Sequence, residues 1–228
     1  MGARESGPQP FTADGMQRRV IEYARPVGML TGRVDYTGYM RAFLHWFDLY
    51  FTTIIRHLPD WIRPVMVSAT MIGRPFFTIG IGLLIVILGW QANEPLFQAG
   101  LFVVGTCLVG SLLKILLRRK RPPTEYALSM PLKTFSFPSG HAVGSTIAYG
   151  TIGYLCFYFL PPTWGGLVVG LTVTLICLVG VSRVYLGAHY PSDVAAGWAL
   201  GGAGLFFIVT LIQPKSLPML YSVIIPTS

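Results

Sequence analysis

The sequence predicts an all-α fold: a polytopic membrane helical bundle of five to six transmembrane helices, with an additional interfacial amphipathic helix. Three observations predict it. Apolar residues fill 53% of the 228 positions and charged ones only 11%, against about 25% charged in soluble domains. The mean hydropathy is +0.59. Apolar runs also recur near the ~20 residues that a helix needs to cross about 30 Å of hydrocarbon. A soluble globule, a disordered chain and a coiled coil are thereby excluded. The 26 glycines show no period of three, which excludes collagen.

Residues 1–37 form a polar tail with four arginines by position 25; no short basic start leads straight into an apolar core, so the tail is not a secretory signal. Residues 38–63 are aromatic-rich yet carry Arg41, His45, Asp48 and Arg56. Each such charge would cost about 2.5–3.5 kcal/mol at the centre of a span. An interfacial or re-entrant amphipathic segment suits them better. The transmembrane domain covers 64–213, with spans expected at 66–90, 95–117, 142–160, 163–182 and 194–213. Arg74-Pro75 interrupts the first. The turns at 91–94 and 161–162 are short enough to force antiparallel hairpins, and 214–228 is a C-terminal tail. Gly166/Gly170 and Gly197/Gly201 carry the spacing that lets helices approach closely.

The net charge is +8. Because the bases lie between apolar spans, anionic lipid headgroups are the expected partner and nucleic acid is not. Cys107, Cys156 and Cys177 sit inside apolar runs, giving neither a disulfide framework nor metal-ligand spacing. No metal site and no cofactor are expected, and no oligomeric state is specified.

Alternating spans place the loops 118–140 and 183–193 on one face. That face holds Lys114, Arg118, Arg119, Lys120, Arg121, Lys133 and Arg183, with both histidines beyond residue 60, His141 and His189, and with Asp193. Three clusters stand out. Lys114-x6-Arg121-Pro122 closes the second span; Lys114, one turn inside, should face the bundle interior and a counter-anion, although the cluster alone also reads as a positive-inside flank. Pro138-Ser139-Gly140-His141 opens the third span. Ser139 suits an N-cap, Gly140 admits an anion close to the backbone, and the free N–H groups of a helix start bind phosphate. By itself the tetrapeptide also reads as an ordinary helix start. Ser182-Arg183-x5-His189-x3-Asp193 closes the fourth span and opens the fifth, with Pro191 suited to the first turn. Asp193 can accept a hydrogen bond from an imidazole, or merely complement the helix dipole. It is nevertheless one of three acids after residue 90, with Glu94 and Glu125.

Together these clusters resemble the signature of the type 2 phosphatidic acid phosphatase superfamily, which also holds vanadium haloperoxidases and bacterial non-specific acid phosphatases. The resemblance covers about residues 60–213. It implies that His189 is a nucleophile forming a phosphohistidine, that Asp193 orients it, and that His141 protonates the leaving group and then activates water. Lys114, Arg121, Ser139, Gly140 and Arg183 would hold the phosphate oxygens. Phosphoryl transfer is mostly positioning and charge stabilisation, which a cage of cations and N–H groups provides without a metal.

A phosphate site walled by apolar helices suits a lipid phosphate substrate. Candidates are phosphatidic acid, phosphatidylglycerophosphate, undecaprenyl pyrophosphate and lipid A phosphates. The other classes are a catalytically inactive lipid-phosphate-binding membrane protein, which should lose a histidine or Asp193, and a transporter, which should spread its ionisable residues along a path. The expected location is the cell (inner) membrane. The tail's arginines favour a cytoplasmic N-terminus, and with six crossings the site faces the extracytoplasmic side. The remaining flank, Arg118, Arg119 and Lys120, reads as solvated bases, and Met130–Phe137 as a lid between the first two clusters.

Overall fold

Prolines and short polar breaks cut the chain into helices. The computed structural model describes residues 36–90, 94–130 and 134–211, and among these there are eight α-helices and one 3-10 turn. The predicted tail 1–37 is outside them save for its last two residues, as are Lys133 and the C-terminal tail. Two compact units meet at Phe51/Thr52, inside helix α1 (Tyr36–Arg56).

In the first unit, α1 carries a run of ring contacts, with Trp46 stacked on Tyr50 at 5.4 Å and Phe47 against Phe51 at 4.7 Å. Asp48 is buried, so this carboxylate is not on the outer side of the helix as a simple amphipathic reading requires.

The second unit holds the bundle. After the 3-10 turn Asp60–Ile62 come α2 (Arg63–Ile72) and α3 (Pro75–Gly89). The predicted interruption is there: Arg74 is extended, Pro75 starts α3, and the axes bend by 42°. A Cβ on Gly73 would lie 2.3 Å from Val179, so at the break this pair passes close to the helix that bears Arg183. Helix α4 (Glu94–Leu117) runs antiparallel to α3, with Gly89 against Phe97 and Gly100 against Val86. A short α5 (Glu125–Ser129) precedes α6 (Gly140–Phe159), α7 (Pro162–Tyr185) and α8 (Pro191–Leu211).

Helix α6 is the inner helix, packed on α3, α4, α7 and α8. Half of its twenty residues are buried, most of them Gly, Ala, Ser and Thr. Lipid tails are as apolar as leucine, so small residues that allow close contact favour the inside, while Leu83, Ile87, Leu108, Leu116, Leu171 and Phe206 face outward. Of the two glycine pairs, only one packs. Cβ atoms on Gly197 and Gly201 would strike Ala142 and the Val143 carbonyl, at 2.7 and 2.8 Å, whereas Gly166 and Gly170 have nothing within 4 Å.

Over the described residues the five expected spans are helical, the first with its break at Gly73-Arg74. By length and composition three described helices could cross a membrane, α4, α7 and α8, or four if the bent pair counts as one. Helix α6 falls short because the small polar residues that make it an inner helix lower its hydropathy.

Candidate active site

Four helix ends in the second unit converge: the C-termini of α4 and α7 and the N-termini of α6 and α8. Each signature cluster is one of these ends with its adjoining loop.

At the end of α4 the chain leaves the helix through Arg118, at φ 49°, and continues extended. Residues two apart then share a side. Arg119 and Arg121 turn inward while Arg118 and Lys120 are exposed. Arg121 donates from Nε to the Thr134 carbonyl at 2.8 Å, from Nη2 to Thr134 Oγ1 at 2.8 Å, and from Nη1 to the Ala188 carbonyl at 3.0 Å. Nη1 also lies 3.1 Å from His189 Nε2. Lys114, expected to meet an anion, donates instead to backbone carbonyls of the next cluster, Pro138, Ser136 at 3.4 Å and Phe135 at 3.5 Å.

The second cluster is strapped to the first. Ser136 donates from its amide to the Arg119 carbonyl at 2.8 Å and from Oγ to the Lys120 carbonyl at 3.1 Å. The described part of the expected lid is therefore bonded down on the extended segment. Ser139 stands at the N-cap of α6, as predicted, but its hydroxyl makes no capping bond. That Oγ is buried without a partner, while the Ser139 amide donates to the Asp193 carbonyl at 2.9 Å. A Cβ on Gly140 would make only ordinary contact, 3.5 Å from Lys114 Cε, so protein packing does not demand glycine there. His141 follows in the first turn, within range of the charges of Arg183, Lys114 and Arg121 and of His189.

From the end of α7, Arg183 enters at 1% exposure. Nη1 donates to Thr70 Oγ1, but Nε and Nη2 have no partner. The Tyr126 ring lies 5.8 Å from its guanidinium. The chain reverses at Gly187, φ 73°, where a Cβ would also press on Thr124 at 2.8 Å; only glycine tolerates both. Thr124 Oγ1 ties the two loops by donating to the Gly187 carbonyl at 2.8 Å.

His189 and Asp193 are 3% and 0% exposed. His189 Nδ1 lies 3.5 Å from Asp193 Oδ2, a long approach for a hydrogen bond. Arginine only donates, so the Arg121 contact requires Nε2 to accept and leaves the proton on Nδ1, facing Asp193. Burial, then the charges of Arg183, Lys114 and Arg121, hold His189 well below its ordinary value. It is thus neutral, with the Nε2 lone pair on the side of the cations.

One residue was misread from sequence. Arg119 is not a solvated flank: its Nη1 donates to Asp193 Oδ1 at 2.6 Å and to Ser192 Oγ at 2.7 Å, and its guanidinium stacks 4.4 Å from the Tyr190 ring. The available signal was its two-residue spacing from Arg121 on a segment that Pro122 and Pro123 keep out of helix. Among the described residues, no group of three or more His, Cys, Asp or Glu could hold a metal.

The eight side chains and backbone positions singled out in the sequence meet at one end of the bundle, around buried donors with no acceptor. A profile of the PAP2 superfamily, the type 2 phosphatidic acid phosphatases, matches residues 95–216. Phosphatidylglycerophosphatase B of Bacillus subtilis (strain 168) is 34% identical over 164 residues, 68% of this chain and 77% of that protein. Decaprenylphosphoryl-5-phosphoribose phosphatase of Mycobacterium tuberculosis (strain CDC 1551 / Oshkosh) is 40% identical over 106 residues, 45% of this chain and 52% of its own. The fold is similar to the crystal structure of the first transmembrane PAP2 type phosphatidylglycerolphosphate phosphatase from Bacillus subtilis, with a TM-score of 0.62 over 88% of this chain and 97% of that one, at 22% identity. With the profile spanning more than half of its length and all three motifs intact, the chain belongs to the PAP2 superfamily.

Proposed function

We propose that this protein is an integral-membrane lipid-phosphate phosphatase that works through a phosphohistidine on His189. The carrying observation is two buried side chains with unmet donors, Arg183 at Nε and Nη2 and Ser139 at Oγ, beside a neutral histidine whose own Nδ1 has no hydrogen-bond partner. Buried donors without partners cost about 1–3 kcal/mol each. An anion with several oxygens relieves that cost, and a phosphoryl group has the required shape.

In the first step His189 Nε2 attacks phosphorus as the bond to the lipid oxygen breaks. His141 gives its proton to that oxygen, and Asp193 offsets the positive charge that develops on the His189 ring. Water, deprotonated by His141, then attacks the phosphohistidine, releasing phosphate and restoring His189. Lys114, Arg121, Arg183, the Ser139 hydroxyl and the N–H of Gly140 hold the non-bridging oxygens, and the missing side chain at Gly140 leaves room for them. These cations supply the charge stabilisation that a metal would otherwise give, so the reaction needs neither metal nor cofactor.

The lipid nature of the substrate is supported by the apolar helices that carry the site. A crevice between α4 and α8, lined by Leu101, Phe102, Val109, Leu200 and Phe207, lies on the two helices whose ends bear Lys114 and Asp193. The names of the relatives favour phosphatidylglycerophosphate or a polyprenyl phosphate. We further place the protein in the cell membrane with five or six crossings and an outward-facing site.

Phosphate release from phosphatidic acid, phosphatidylglycerophosphate, undecaprenyl pyrophosphate and lipid A tests the assignment. Wild-type protein should turn over at least one of them in EDTA, and His189→Ala should lose about 10⁴-fold in turnover. Activity that EDTA abolishes and Mg²⁺ restores would overturn the metal-free mechanism, and more than about a tenth of activity left in His189→Ala would overturn the nucleophile.

A further inference from the structure

Asp193 divides its two oxygens between different partners. Oδ2 faces His189 Nδ1 at 3.5 Å and accepts from the Tyr190 amide at 3.0 Å. Oδ1 accepts from Arg119 Nη1 at 2.6 Å. The same guanidinium bonds Ser192 and stacks on Tyr190, so it is braced on both sides of its contact with the carboxylate. Its backbone carbonyl meanwhile accepts from Ser136. Arg119 therefore ties the first signature segment, in which it lies, to the third, and its carbonyl holds Ser136, two residues before the second. No contact with His189 or with the unmet donors Arg183 Nε, Arg183 Nη2 and Ser139 Oγ is among these.

We propose that Arg119 is a positioning residue: it holds the Asp193 carboxylate ionised and aimed at His189 Nδ1, and so keeps the ring proton on Nδ1 with Nε2 free to attack. The proposal rests on the phosphatase reading for its kinetic consequence only. A carboxylate at 0% exposure without a charged partner would take up a proton or turn toward another donor. Either change frees the ring tautomer on which nucleophilic attack depends. The remaining groups facing this pair are Lys114 on α4, Arg121 and Tyr126 on the loop and α5, His141 on α6, Arg183 on α7, and Tyr190 beside Asp193. These cations all oppose protonation, and Arg119 is the one in direct contact with the carboxylate. Its removal should let the His189–Asp193 pair gain a proton at higher pH.

The test reads the ring directly. The chain has four histidines, so ¹⁵N-histidine labelling of the full protein in detergent gives few signals, and His189→Gln identifies the wanted one. Replacing Arg119 by Gln should shift the pH of the His189 titration by about one unit, whereas Arg119→Lys, which keeps the charge, should leave it near wild type. With dioctanoyl phosphatidic acid as substrate, Arg119→Gln should lower kcat about 10- to 100-fold with KM within about threefold, because the phosphate contacts remain. Arg119→Lys should fall between, lacking the planar fork. An unshifted titration in Arg119→Gln overturns the proposal, as does a wild-type kcat in Arg119→Lys if Arg119→Gln does not fold. Absence of any phosphate release by the wild type would overturn the phosphatase reading instead, and the titration would still judge Arg119.

Discussion

Arg183 and His189 are polar side chains in a lipid-embedded protein, at 1% and 3% exposure, and each answers a different physical demand. For Arg183 the demand is an acceptor. A ligand that fills an unmet site stabilises the folded state by about 2.7 kcal/mol at a hundredfold excess over Kd. Orthovanadate, which adopts the trigonal-bipyramidal shape of phosphoryl transfer, should therefore raise the thermal unfolding temperature, and Arg183→Leu should lose that response. An equal shift in the variant would place the anion elsewhere. For His189 the demand is to stay neutral. Burial and then the cations lower its pKa, so below about pH 6.5 the unfolded chain binds a proton that the folded one refuses. Folding stability is then intact above that pH and falls as pH drops. Thermal unfolding between pH 7.5 and 5 should show a shallower decline in His189→Gln than in wild type; parallel curves would mean that His189 protonates freely when folded. These residues were legible in the sequence because motif spacing survives without any knowledge of packing. Arg119 was not, since a run of four bases from Arg118 to Arg121 carries no mark of which side each faces until the extended backbone sets the alternation.

Among the elements, the close contacts of α6 with α8 hold together two of the four converging helix ends. Gly197 meets Ala142 and the Ser139 carbonyl, at 2.7 and 2.9 Å for an added Cβ, one turn below Asp193. Gly197→Ala should push the two helix starts apart and separate Ser139 from Asp193, costing most of the activity. Gly166→Ala meets nothing within 4 Å and should be neutral or stabilising by up to about 1 kcal/mol, since alanine is the better helix former. Melting temperature and phosphate release for the two variants check both expectations. Arg118 tests the other helix end. A left-handed φ of 49° just after α4 is a position that favours glycine. Its Nε bond to the Ile115 carbonyl at 3.1 Å is exposed and offsets little of that strain. Arg118→Gly should stabilise by about 0.5–1 kcal/mol with activity unchanged; a loss of stability would show that the side-chain bond outweighs the backbone term. The sequence foretold the helix positions well, because proline and hydropathy mark them. It did not tell which glycine pair packs: Gly166/Gly170 and Gly197/Gly201 have the same spacing, and only the three-dimensional neighbours differ.

At the scale of the whole molecule, orientation follows from the number of crossings. The helices α4, α6, α7 and α8 carry the site at one end, so a single additional crossing before the bent pair α2–α3 decides which side that end faces. Helix α1 has 21 residues, about 31 Å at 1.5 Å per residue, long enough to cross, while Arg41, Asp48 and Arg56 make crossing costly. The burial of Asp48 lowers that objection, because a carboxylate turned away from lipid does not bear the full cost of hydrocarbon. Arg41 and Arg56 lie near the two ends of the helix, where long side chains reach the interface. Six crossings with a cytoplasmic N-terminus then leave five arginines before residue 36 on the cytoplasmic side, in keeping with positive-inside bias, and turn the site outward. The bases of the site are weak topology markers by comparison, since they have an anion to hold. Single cysteines at Ser129, at the end of α5, and at Ser228, in a background without Cys107, Cys156 and Cys177, separate the two topologies. An impermeant maleimide on intact cells should label position 129 and not 228; labelling at 228 but not 129 would put the site in the cytoplasm and leave α1 on the membrane surface.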